Sequence, residues 1–254
     1  MPKARARFYC KRKMIAEIGG WATLFYLTSC YLPALVPRFR SHEARIAAIP
    51  IVFNNHNIPM DSERQRERES LDRVVGLSIG LVTQLLITGL GILDLVTPVA
   101  TLPALVIGFY LYDMIYLGVK LQNQTMYLAH HAATICLVGY LSVIDSPYRG
   151  FADIMYILLE FSSASINFVN LVKYFDSQSS LIPTLSACNL AVYGLTRIVV
   201  YPVNLVVCAA HVASSDRILI HVPPLAVLGL LYVLCVYWFG LMVQKHIRMR
   251  GAVE

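Results

Sequence analysis

The sequence predicts an all-α, polytopic membrane helix bundle of about seven transmembrane helices. Three observations carry this. The 254 residues are 57% hydrophobic and only 14% charged, with a mean hydropathy of +0.61, whereas a soluble domain carries about 25% charged residues to cover its surface. The apolar residues fall in seven runs of near-membrane length. The positive charge is confined to one end: residues 1–73 hold 13 Lys and Arg against 7 Asp and Glu, and residues 74–254 hold 8 of each. A soluble enzyme, a disordered tail and a disulfide-rich secreted domain are excluded. The basic clusters flank apolar runs, so the expected anionic partner is lipid headgroups and not nucleic acid.

The runs, in order, cover 14–36, 74–96, 102–119, 126–144, 151–173, 181–209 and 222–244. A helical span needs about 20 residues, and each run is adequate or nearly so. The third is short and the fourth holds two histidines, so a six-span count stays open. The first begins at Met14 and is long enough to remain as a span rather than be cleaved as a signal. Two regions are expected: 1–73, a basic N-terminus, first span and charged connecting segment, and 74–250, a helical membrane domain. Asp61 to Arg73 alternates in charge and reads as a solvated entry to the second span. Later loops are short, so consecutive spans should pack as antiparallel neighbours. Counting Lys and Arg over seven spans favours a cytosolic C-terminus, although the cations from Lys3 to Lys13 oppose it. Cys10, Cys30, Cys136, Cys188, Cys208 and Cys235 show no CxxC spacing, so single thiols are expected and no metal site. Asn123-Gln124-Thr125 fits a glycosylation pattern but sits in a very short loop.

Ionisable groups inside spans are costly and mark candidate sites. In the fifth run Asp153, Glu160 and Asn167 are seven apart, and Tyr156, Ser163 and Asn170 each follow by three, which places all six on one helix face. In the sixth, Asn189, Tyr193, Arg197, Tyr201 and Asn204 share a face. Asp113 aligns with Tyr116 and Lys120 in the third, and the fourth carries His130 and His131 with Tyr127 and Thr134 a turn to either side. From the helical rise, Asp113 and the histidines should lie at similar depth on neighbouring helices, in one polar layer with Asn167 or Asn170 and Asn189. Glu160 and Arg197 should form a deeper structural ion pair. A carboxylate on an imidazole orients it and raises its basicity, so His130, His131 and Asp113 are the candidate catalytic group. Tyr127, Ser163, Asn167, Asn170 and Asn189 are candidate substrate contacts, with Asp153 and Tyr156 on the same polar stripe. Structural hydrogen bonding between helices is the competing role for every one of them.

Known histidine-bearing membrane enzymes narrow the choice. The position three before the histidine pair is Tyr127, which breaks an elongase box. The other histidines form no di-iron set, and 222–244 has no Lys for a retinal. Gly108-Phe-Tyr-Leu-Tyr-Asp113, Leu128-Ala-His-His-Ala-Ala-Thr134, Leu159-Glu-Phe-Ser-Ser-Ala-Ser-Ile-Asn167 and Arg197 with Pro202 together resemble the TLC domain, over about residues 70–250. That family includes ceramide synthases, a translocating-chain-associated membrane protein and a ceroid-lipofuscinosis protein. The resemblance implies a helical bundle in the endoplasmic reticulum or a related membrane, enclosing a lipid-accessible cavity. It implies His130 and His131 as the pair that ceramide synthases need for N-acyl transfer from acyl-CoA, with acyl-CoA as co-substrate, no other cofactor, and membrane lipids, a second copy or another membrane protein as partners. The synthases' His-Asp signature and homeobox-like insert are missing, and the chain is more similar to the small TLC-domain-containing proteins. Two functions remain: acyl transfer to a lipid amine or hydroxyl, and lipid binding that regulates membrane composition or escorts cargo.

Overall fold

The computed structural model describes residues 14–29, 61–96, 99, 101–120, 125–143, 149–214 and 218–251. Residues 30–36 of the first run, most of the connecting segment, Cys10, Cys30, Asn123, Gln124 and the side chain of Asp153 lie outside what is described. Among the described residues the secondary structure is helical: α1 (14–29), α2 (Asp61–Asp94), α3 (Leu102–Lys120), α4 (Thr125–Val143), α5 (Arg149–Phe175), α6 (Ile182–Tyr193), a π turn (Gly194–Val200), α7 (Tyr201–Ala213) and α8 (Ile218–Gly251). Each predicted run is helical over most of what is described of it, with α6, the π turn and α7 forming one continuous column. The proposed division at residue 73 falls inside α2, which is unbroken from Asp61 to Asp94. Among the described residues four segments are long and apolar enough to cross a membrane: Asp72–Asp94, Ile154–Phe175, Ile182–Ala213 and Ile218–Arg248. Leu102–Tyr116 is a shorter apolar helix. Their outward faces expose Val82, Leu195, Val206 and Val233, which suits hydrocarbon and not water. The chain is an integral, multi-pass membrane protein.

The core gathers around α3, whose Leu102, Leu105, Val106, Phe109 and Tyr112 are buried against Phe25 of α1 and Val75, Ile79 and Ile87 of α2. Close approach depends on glycines, as is common between membrane helices. A Cβ on Gly108 would lie 2.7 Å from Cβ of Trp21 and 3.0 Å from the carbonyl oxygen of Ile18. A Cβ on Gly80 would lie 2.7 Å from Nδ2 of Asn167, so Gly80 lets α2 settle on α5. The hydroxyl of Tyr116 donates to the carbonyl oxygen of Asp72, tying α3 to α2.

The π turn explains how the stripe on the sixth run works. Residues spaced by four drift about 40° per step around a regular α-helix. The backbone N–H of Tyr201 reaches back to the carbonyl of Thr196, a five-residue closure that takes more residues per turn and cancels the drift. Pro202 has no N–H to give the preceding turn, so a departure from α geometry is expected just there. As a result Asn189, Tyr193, Arg197 and Tyr201 are all buried. The tyrosines of this stripe are tethers: Tyr193 donates to the carbonyl of Cys235 at 3.2 Å and Tyr201 to that of Leu228 at 2.9 Å. In α8, Pro223 and Pro224 lie inside the helix. Pro224 cannot donate to the carbonyl of Ile220, and the hydroxyl of Tyr140 on α4 donates to it instead.

Candidate functional site

Asp113 and Tyr110 are three residues apart on α3 and face the start of α4, where the histidines sit. Asp113 meets His131, with Oδ2 3.3 Å from Nδ1. His131 is buried, at 6% exposure. The ring of Tyr110 stands edge-on to His131 at 4.8 Å between centroids and near His130 at 6.3 Å. The two imidazoles are 5.6 Å apart. Adjacent helical residues point about 100° apart, and the pair divides accordingly: His131 turns to Asp113, while His130 faces a cavity. Nδ1 of His130 has no hydrogen-bond partner among the described residues.

Glu160 lies deeper on α5, at 3% exposure. One carboxyl oxygen accepts the hydroxyl of Tyr110, and the other, Oε2, is buried without a partner among the described residues. Tyr110 therefore joins the histidines to Glu160, two groups that depth alone places in separate layers. Sequence reading quoted Tyr110 inside a motif without giving it a role. Its spacing of three from Asp113 is the signal that it shares that face.

The predicted Glu160–Arg197 ion pair is corrected. Arg197 is 4% exposed and makes no direct salt bridge to Glu160. Nε donates to Ser162 Oγ at 2.7 Å. Nη2 donates to the carbonyl of Leu159 at 2.8 Å and to Ser163 Oγ at 2.5 Å. Nη1 approaches Cys235 Sγ at 3.7 Å, and the guanidinium stands over the ring of Tyr193 at 4.9 Å. The hydroxyls and the carbonyl of α5 absorb the donors that the carboxylate was expected to take, and Ser163 serves Arg197.

The single polar layer is corrected too. Asn167 donates to Gln84 Oε1 on α2 at 2.8 Å, and Asn189 accepts from Ser165 at 2.6 Å. Asn167 is thus bonded at the α2–α5 seam and Asn189 at the α5–α6 seam, neither to Asp113 nor to a histidine, and Asn170 is half-buried near the same end of α5. Sequence reading missed Gln84, the one amide in the second run, because it looked there for charges. Tyr127 is 47% exposed and stacks on Trp238 of α8 at 5.3 Å. Trp238 had not been singled out.

The cavity has a volume of about 80 Å3 and is open on one side. Tyr110, His130, Glu160 and Arg197 line its polar end. From there it runs between α4, α5, α7 and α8 past Leu137, Leu141, Val212, Leu225 and Leu228, with Tyr156 on its α5 wall and His221 at its far end. From His130 to Leu141 is eleven residues of α4, or about 16 Å of helical rise. The cavity is thus a narrow, mostly apolar slot whose polar groups gather at the His130 end, with the single imidazole of His221 at the other. No group of three or more His, Cys, Asp or Glu among the described residues could hold a metal ion.

No curated protein matches the chain. The family profile of the TLC domain matches residues 97–244, which takes in α3 to α8 and with them both histidines, Asp113, Glu160 and Arg197. The chain belongs to the TLC domain family.

Proposed function

We propose that this protein handles a membrane lipid in the cavity and transfers an acyl group to or from it, with His130 as the reacting imidazole. One observation carries this reading: an apolar slot inside the membrane domain is lined at one end by His130 and Glu160, each of which has a buried polar atom with no partner among the described residues. Such atoms are costly to bury unless something else meets them, and a lipid headgroup would do so. His130 has a nitrogen with no hydrogen-bond partner among the described residues, and a general base or a transient acyl acceptor needs such a nitrogen. His131 and Asp113 stand behind it as a supporting pair. Acyl-CoA is the proposed donor, reaching His130 from the membrane face where α3 ends and α4 begins. A lipid amine or hydroxyl is the proposed acceptor, and the endoplasmic reticulum the proposed membrane.

A second reading, lipid binding without turnover, is favoured by the state of Arg197. Three of its donors are spent on Ser162, Ser163 and Leu159, which leaves little to stabilise a developing oxyanion.

Purified protein in nanodiscs, supplied with acyl-CoA and a panel of lipid amines and alcohols, separates the two. Acyl transfer predicts acylated product from the native protein, abolished by His130→Ala and reduced by His131→Ala or Asp113→Asn. Bound lipid without product from any acceptor removes catalysis and leaves the second reading. Full activity in folded His130→Ala removes the assigned role of His130.

A further inference from the structure

We propose that Tyr127 and Trp238 form a gate over the histidine end of the cavity, through which the hydrocarbon chain of a membrane lipid passes between α4 and α8. This rests on the reading of the cavity as a lipid site.

Tyr127 and Trp238 stack at 5.3 Å with an interplanar angle of 20°. Trp238 in turn meets His130 at 5.3 Å and 87°, a T-shaped contact. Since His130 lines the cavity, the indole stands between a cavity-lining imidazole and the half-exposed Tyr127. Tryptophan and tyrosine near a membrane surface ordinarily serve as anchors among headgroups. An anchor has no need to reach an imidazole in a cavity wall, and Trp238 does.

The rest of the seam fits passage of a chain. At the far end α4 and α8 are tied by the hydroxyl of Tyr140 on the carbonyl of Ile220. Between the two ties both helices present leucines to the cavity: Leu137 from α4, and Leu225, Leu228 and Leu231 from α8. A lipid tail that slides in sideways exchanges hydrocarbon for leucine and loses little, whereas entry through the polar face would drag it through water. The movable partner is α8. Only 17% of its most apolar window is buried, against 44% for α2, and Pro223 and Pro224 interrupt its hydrogen bonding. The closing contact is aromatic stacking, weak enough to break thermally and specific enough to re-form.

The test uses full-length protein in nanodiscs and a doxyl-labelled stearate methyl ester, whose uptake and release are followed by electron paramagnetic resonance. Trp238→Ala and Tyr127→Ala are expected to speed exchange about three- to tenfold, which is what loss of one stacked pair is worth. Trp238→Phe should keep near-native rates. Phe168→Ala, which removes an equally exposed aromatic from α5, should change nothing. With Trp21→Phe, Trp238 is the sole tryptophan, and its emission should be quenched as the probe enters. Native exchange rates in Trp238→Ala and Tyr127→Ala, with the probe bound, overturn the gate. If Trp238→Ala fails to fold, Tyr127→Ala carries the same comparison. Native protein that never immobilises the probe overturns the cavity reading itself, and the gate with it.

Discussion

Arg197 is a charge buried in a membrane-crossing helix, where an unsatisfied cation is strongly disfavoured. Its fork-shaped guanidinium solves this by gripping the backbone and two hydroxyls of α5 at once. A lysine presents a point charge and cannot reproduce the fork. Arg197→Lys should therefore lower stability by about 2 kcal/mol or more, the scale of one or two charge-assisted hydrogen bonds, as measured by thermal unfolding in nanodiscs. Double-mutant cycles should find Arg197→Ala coupled more strongly to Ser163→Ala than to Glu160→Gln. The reverse order would restore the ion pair that sequence reasoning favours. That Arg197 is a critical residue was legible in the sequence, because a lone charge in an apolar run needs partners. Which partners it takes was not, since a serine hydroxyl or a main-chain carbonyl leaves no mark in the pattern of charges. Likewise Asp113 and the histidine pair were legible as neighbours from helical depth, but which histidine turned to the carboxylate depended on rotation about α4.

The same limit holds for whole helices. Where they are described, the seven runs are helical, because apolar residues in a membrane have little choice but to close their hydrogen bonds internally, although only four segments among the described residues reach spanning length. What the apolar count does not contain is how neighbours dock. Asn167 shares a face with Glu160 on α5, yet it leaves the polar layer because Gly80 brings α2 close enough for Gln84 to take it. A larger side chain at Gly80 should break this arrangement. Gly80→Leu is expected to lower stability by about 1–3 kcal/mol, the usual cost of overpacking, while Gly89→Ala, which meets nothing within 4 Å, should be neutral or slightly stabilising. Equal effects of the two would mean that α2 does not depend on close packing against α5. The π turn was similarly invisible. A stripe spaced by four looked like one face of a regular helix, and only the five-residue closure before Pro202 makes it so.

At the scale of the molecule, the helices matched by the TLC profile surround one slot with a polar end and an apolar length, and α1 and α2 brace α3 and α5 from outside it. The charged groups inside the spans are sparse, and Tyr110 concentrates them: it contacts both histidines and Glu160, so the proposed reacting group and the deeper carboxyl share one wall. The central claim is that this slot holds a lipid with its head at His130 and Glu160. The most direct measurement is the lipid content of purified protein, by native mass spectrometry and extraction, for the native chain and for Leu228→Trp, which fills the apolar length without touching the polar end. The expected result is about one retained amphiphile per native chain, lost in folded Leu228→Trp. Equal lipid in both, or none in either, would contradict the account.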